Sequence, residues 1–183
     1  TKEVKAISLD FDPNIDGFIH WAKGDGKIYF RGEDGFYSRI FVYDPKTEKY
    51  DRLPIEVDYV STFSMSKEKP SHIAYIGEGY DHAGVAYLYD VKKRSNKLLA
   101  DPFKKTLDKI NLAKDESWTF TASDGTVIDG VICYPPDFDP AKKYPLIVYY
   151  YGGTNPSERS IRHPYTPQMF ASRDYVVYVI NPS

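Results

Sequence analysis

Tyr144-Pro-Leu-Ile-Val-Tyr-Tyr-Tyr-Gly-Gly-Thr-Asn155 is the stretch on which the fold turns. Leu146 to Tyr150 is an unbroken apolar and aromatic run with no polar alternation, the pattern of a parallel strand buried on both faces. Pro145 suits the first residue of a strand, where a missing N–H costs little. Gly152-Gly153 ends the run and lets the backbone approach another group closely. A buried strand running into a glycine-rich loop is where α/β proteins place ligands and chemistry.

Downstream, Thr166–Arg173 predicts a short helix with Pro167 in its first turn, and Val176–Ile180 a second buried strand. Immediately upstream, Trp118–Ala122 and Val127–Tyr134 flank Ser123-Asp-Gly-Thr126, a strong hairpin signal. Hairpin, strand, helix, strand is how an α/β sheet begins. Further upstream the texture changes. Phe103, Leu107 and Ile110 recur at helical spacing and predict a short helix or turn bridging two units.

Residues 1–102 read as short strands between turn signals. The first set is Gly17–Trp21, Lys27–Arg31, Arg39–Tyr43 and Tyr50–Leu53; the second is Ser61–Met65, His72–Ile76, Ala86–Tyr89 and Lys97–Leu99. The sets are copies at an offset of 46: Tyr43-Asp44 recurs as Tyr89-Asp90, and Tyr29-Phe30 aligns with Tyr75-Ile76. A four-stranded unit repeating at roughly 40–50 residues predicts β-propeller blades. Two blades do not close a ring, so the first is expected to expose one face. Exposed blade and sheet edges would favour self-association.

Composition narrows the function classes. A net charge of −2 gives no basis for nucleic-acid or anionic-membrane binding. No apolar run reaches transmembrane length, and no apolar segment of signal-peptide type follows Thr1-Lys-Glu-Val-Lys5. The single Cys133 excludes an intrachain disulfide. Asn155-Pro-Ser157 and Asn181-Pro-Ser183 carry proline in the middle and are not glycosylation acceptors. Asp12-Pro-Asn-Ile-Asp16-Gly17 matches half of a calcium loop, but Lys23 stands where a bidentate glutamate belongs, so no metal is assigned.

Taken together, Ser123-Asp-Gly-Thr126 with Ile128 and Gly130, Tyr134-Pro-Pro136, Phe138-Asp-Pro140, Lys142-Lys-Tyr-Pro-Leu-Ile-Val148 and Tyr151-Gly-Gly153 resemble the opening of the catalytic domain of prolyl oligopeptidase-family serine peptidases. The likeness is closest to the dipeptidyl peptidase IV-like and acylaminoacyl peptidase-like branches. It covers about 65 residues in order, and such peptidases carry a β-propeller before an α/β-hydrolase domain.

The resemblance implies a mainly β chain with some α/β: two antiparallel four-stranded blades (1–56 and 57–102), a linker at 103–115, and the incomplete N-terminal part of an α/β-hydrolase sheet at 116–183. By motif match Tyr151 would donate its hydroxyl to the oxyanion, with Gly152 and Gly153 shaping the loop. Asn155, Arg159 and Arg162 sit where a substrate-facing loop would lie, where arginines could hold a peptide carboxylate, although a solvated polar loop is the simpler reading. Thr154-Asn155 departs from the Gly-Gly-Pro common in the dipeptidyl peptidase branch.

The family's Gly-x-Ser-x-Gly elbow occurs nowhere in the 183 residues, and its order of Ser, Asp and His would follow Asn181. The segment alone is therefore expected to be inactive, with the parent enzyme cleaving short peptides. His20, His72, His82 and His163 read as surface or loop residues, and Tyr149 and Tyr150 as packing residues. The family implies no cofactor and favours a periplasmic or secreted setting. A non-catalytic propeller binding protein and an esterase- or lipase-type hydrolase remain alternatives.

Overall fold

The structure, a computed structural model, describes residues 4, 6–7, 10–150, 159–162 and 164–180. They form three sheets. The first holds β1 (Asn14–Ile15), β2 (His20–Trp21), β3 (Ile28–Asp34), β4 (Tyr37–Asp44) and β5 (Lys49–Arg52). The second is the meander β6 (Tyr59–Met65), β7 (His72–Glu78), β8 (Val85–Asp90) and β9 (Ser95–Ala100). After α1 (Lys104–Leu107) come β10 (Lys114–Thr121), β11 (Val127–Tyr134), β12 (Leu146–Tyr150), α2 (Pro167–Ala171) and β13 (Val176–Ile180). The third sheet runs β10-β11-β13-β12, antiparallel except for the parallel pair β12–β13.

β1 and β2 are two pieces of one strand position, both lying along β3. The expected strand Gly17–Trp21 is shorter than its sequence suggests because Gly17 and Phe18 both take positive φ, which extended strands do not allow. The expected bridging helix also shrinks, to one turn, and Phe103 and Ile110 stay about half exposed. Too few apolar neighbours reach that turn to hold a longer one.

The repeat is real, with an internal slip. Asp44↔Lys49 and Asp90↔Ser95 close equivalent turns at an offset of 46, and each turn carries a left-handed residue, Glu48 or Arg94. Yet Tyr43 pairs with Ile28 while Tyr89 pairs with Ile73, so the preceding strands are related by 45. Tyr75 stacks on Tyr87 as Phe30 stacks on Phe41. Tyr29 faces the other way, since one residue of slip changes the face of every side chain. Tyr75 therefore corresponds to Phe30, and its identity with Tyr29 is a coincidence of sequence.

The first two sheets share one core. Tyr29, Ile40 and Val42 from the first meet Val60, Phe63, Ile73, Tyr75 and Tyr89 from the second. Arg31, 7% exposed, crosses between them, donating to the Val60 and Ser61 carbonyls (3.1 and 2.9 Å) and to Asp16. The outer face of the first sheet, expected to be bare, is covered: Phe11 lies on Phe30, Phe41 and Tyr50 at 5.4, 5.0 and 4.5 Å. Phe30, Phe41 and Tyr43 are buried as a result. Asp16 and Asn14 of the acidic turn are engaged by Arg31 and Glu33.

The third sheet has one covered face. Val131, Cys133, Val177 and Val179 pack with Ala113 and Ala171, and two residues from the other sheets, Phe36 and Tyr80, insert among them. The Gln168 amide spans the backbone of Ala113, accepting from its N–H at 2.7 Å and donating to its carbonyl at 2.9 Å. The opposite face is open. Trp118, Phe120, Ile132, Leu146, Val148, Tyr178 and Ile180 line an apolar groove of about 320 Å³. β12 is thus half exposed where its run of apolar residues predicts burial on both faces: Leu146, Val148 and Tyr150 stand out at 59%, 48% and 66% exposure. Tyr149 packs on the covered core, and Tyr150 does not pack as expected.

Candidate functional site

β12 and β13 run parallel with their carboxyl ends at the same edge, the end of an α/β sheet at which ligand sites form. Tyr151 follows the last residue of β12 in the chain. Tyr151, Gly152, Gly153 and Asn155 lie outside the described residues, as does His163. Arg159 and Arg162 are described, and both are held by carboxylates.

Arg159 is 6% exposed, in a segment whose composition suggests a solvated loop. Its Nε donates to Asp58 Oδ2 at 2.8 Å and one terminal nitrogen donates to Asp115. Its guanidinium carbon lies 5.1 Å from the Tyr37 ring centre and 5.3 Å from that of Tyr80. These four partners come from all three sheets: Tyr37 from β4, Asp58 and Tyr80 from the ends of the second sheet's strands, Asp115 from β10. A buried cation is tolerable only when paired and hydrogen-bonded, and a planar fork that also stacks on rings is what arginine supplies and lysine does not.

The charges respond to this crowding. Burial opposes the Arg159 charge, yet Asp58 and Asp115 outweigh it and raise its pKa. For Asp115 burial is the larger influence and raises its pKa despite Arg159.

A second clamp lies three residues on. Glu78, 1% exposed, accepts from Ser160 Oγ at 2.5 Å and from Arg162 Nε at 3.1 Å, with a further Arg162 contact on its other oxygen. Burial would raise the Glu78 pKa, but these donors hold it below the usual carboxylate value. The Ile161 N–H donates to the Gly79 carbonyl at 2.8 Å, so backbone as well as side chains ties 159–162 to the β7–β8 loop. Next to it, Asp81 accepts from His82 at 2.6 Å, which raises the His82 pKa.

Sequence reasoning missed Asp58, Glu78, Asp115, Tyr37 and Tyr80. Glu78 carried a readable signal, a carboxylate between two glycines at the end of an apolar strand. The others are joined by long-range contacts that local patterns do not encode. A second, polar cleft of about 580 Å³ opens between the Asp34–Tyr37 turn and the β10–β11 hairpin, with Asp12, Arg52, Ser117, Thr119 and Asp129 on its walls. Among the described residues no group of three or more His, Cys, Asp or Glu side chains could hold a metal, and no helix is long and apolar enough to cross a membrane.

No family model matches the sequence. Curated relatives do. Dipeptidyl-peptidase 5 of Porphyromonas gingivalis is 26% identical over 177 residues, covering 96% of this chain and 25% of the relative. Dipeptidyl-peptidase 5 of Aspergillus oryzae is 27% identical over 196 residues, covering 98% and 25%. The chain thus spans about a quarter of the length of the curated relatives it matches. Among solved structures, acylaminoacyl peptidase of Pyrococcus horikoshii superposes with a TM-score of 0.78 at 20% identity, covering 98% of this chain and 27% of the other. Dipeptidyl peptidase 4 of Porphyromonas gingivalis gives 0.71 at 17%, covering 94% and 25%. The structural neighbours share the fold; with the sequence relatives, they bear out the resemblance to prolyl oligopeptidase-family peptidases, along a segment about a quarter of their length.

Proposed function

We propose that this chain is part of a serine peptidase that hydrolyses short peptides through an acyl-enzyme. Residues 1–56 and 57–102 are two propeller blades, 103–115 the joint, and 116–183 the start of an α/β-hydrolase domain. The observation that carries the reading is the succession of sheets: two antiparallel sheets sharing a core, then a hairpin leading into a parallel pair whose first strand is followed by Tyr151-Gly-Gly153. The names of the relatives, dipeptidyl-peptidase and acylaminoacyl peptidase, support amides of short peptides as the substrate class.

In this mechanism a serine hydroxyl beyond residue 183 attacks the scissile carbonyl while a histidine takes its proton, and the amine leaves with that proton. Tyr151 donates its hydroxyl to the oxyanion. Such a donor contributes about 3–4 kcal/mol to lowering the barrier. The 183 residues alone supply no nucleophile of the elbow type and are expected to be silent.

The test uses the longer protein that contains this segment, assayed on dipeptidyl and acylaminoacyl amides and on simple acyl esters. Amide hydrolysis blocked by a serine-directed inhibitor is expected; hydrolysis of esters alone would favour an esterase, and no turnover a binding protein. Tyr151→Phe should lower kcat by about a hundredfold to a thousandfold. Unchanged turnover would remove Tyr151 from the mechanism.

A further inference from the structure

We propose that Arg159 is a positioning residue for this reaction: it locks residues 159–162 to both blades and to the catalytic-side sheet, and reaches no substrate itself. The inference rests on the peptidase reading. Its basis is the arrangement of partners. Asp58 stands at the entry to β6, Tyr37 begins β4, Tyr80 leaves β7 and Asp115 lies in β10, so one guanidinium touches all three sheets. The two aspartates occupy Nε and one terminal nitrogen, so a peptide carboxylate could replace either only by unpairing a buried charge, while the other terminal nitrogen is buried with no partner among the described residues.

The second clamp points the same way. Ser160 and Arg162 converge on Glu78, and the Ile161 N–H holds the Gly79 carbonyl, so four consecutive residues are fixed to the blades by side chain or backbone. In sequence this anchored tetrad closely follows Tyr151, and β12, which precedes Tyr151, is fixed by its pairing with β13. Reaction geometry is sensitive to displacements of this kind: a shift of about 1 Å can cost about a hundredfold in rate. The Arg162 side chain is more than half exposed, and its head is paired with Glu78.

The experiment compares Arg159→Met, Arg159→Lys and Asp58→Asn with the unmodified longer peptidase, on one dipeptidyl amide. Arg159→Met is expected to lower kcat by roughly tenfold to a hundredfold with KM within about threefold. Arg159→Lys should not restore kcat, because a point charge cannot span both aspartates and stack on two rings. Asp58→Asn, which keeps Asp115 as a partner, should give a smaller fall in kcat.

A raised KM at unchanged kcat would overturn the proposal, because it would place Arg159 on the substrate. Loss of thermal stability with both constants unchanged would overturn it too, leaving a merely structural role. If Arg159→Met fails to fold, Asp58→Asn decides by the same criteria. If the unmodified protein turns over no amide, the peptidase reading fails separately, and hydrogen exchange on this chain then tests the lock. Arg159→Met should speed exchange in Tyr59–Met65 and Lys114–Thr121 together; a change in neither would overturn it.

Discussion

The second and third sheets are both four-stranded, yet they satisfy their faces in opposite ways. The second, a plain meander, buries one face against its neighbour through Tyr75, Tyr89, Ile73 and Phe63. The third buries one face with help from Phe36 and Tyr80, borrowed from the other two sheets, and leaves Leu146, Val148 and Trp118 exposed on the other. The difference shows what each architecture asks of its sequence. The first two sheets need only a similar neighbour, which a repeat provides. A mixed sheet with a parallel pair needs cover on both faces, and its residues are chosen for cover that the described residues do not provide.

The comparison is most directly broken at Tyr80, which leaves one sheet to fill the core of the other and is 1% exposed. Tyr80→Ala should cost about 3–5 kcal/mol, as large-to-small aromatic changes in cores do. Urea unfolding measures it, and a cost below about 1 kcal/mol would mean that the third sheet does not depend on the first two.

Glu78 sharpens the comparison through pH. Its folded pKa is held below the unfolded value, so its contribution is fully present above the ordinary carboxylate pKa of 4.5 and is lost as pH falls through the folded value. Glu78→Gln should lower stability at neutral pH by about 1.5–3 kcal/mol, the range for bonds to charged groups, and flatten this acid limb. Asp115 runs the other way. Its raised pKa makes its ionised form a cost above that pKa, relieved as the pH falls. Thermal midpoints between pH 3 and pH 7, roughly spanning the carboxylate range, separate the two.

Between the first two sheets, Gly24 is a contact of backbone on backbone. A Cβ there would meet the Glu68 carbonyl oxygen at 2.1 Å, and the Gly24 N–H donates to the Lys67 carbonyl. Gly24→Ala should cost about 1–3 kcal/mol and speed hydrogen exchange in β6 and β7, with β10 to β13 unaffected. Exchange rising equally in all three sheets would show that the first two sheets and the mixed sheet unfold as one unit.

How far the sequence carried this picture can be judged residue by residue. Apart from the split β1 and β2, the strands of the first two sheets, the Asp124-Gly125 hairpin and the Val176–Ile180 strand were legible, because period, turn residues and β-branched runs are local. Tyr29 against Tyr75 misled, since identity at an even spacing does not reveal which face a residue takes. The two-sided burial expected of β12 failed for a different reason: the sequence encodes the demand for cover, and only tertiary structure shows whether it is met. Of the site, Tyr151-Gly-Gly153 is legible as a motif but lies outside the described residues, whereas the roles of Arg159 and Arg162 depend on Asp58 and Glu78, far away in the chain.

The smallest expected effect makes the sharpest contrast. Arg94 donates to Asp51 at 2.7 Å, joining the β8–β9 turn to β5, and Arg159 donates to Asp58 at 2.8 Å. The two bonds are alike in chemistry and length. Both side chains of the Arg94 pair are 51% exposed, however, while the Arg159 side chain is 7% exposed. Water and salt screen the first pair, so Asp51→Asn should cost less than about 1 kcal/mol, with the difference shrinking as ionic strength rises. Asp58→Asn leaves a buried cation with one partner fewer, which desolvation makes costly and salt does not relieve. Thermal unfolding of both variants at low and high salt measures this. Equal losses, or equal salt dependence, would show that Arg159 is wetter and less constrained than its neighbours Tyr37 and Tyr80 imply.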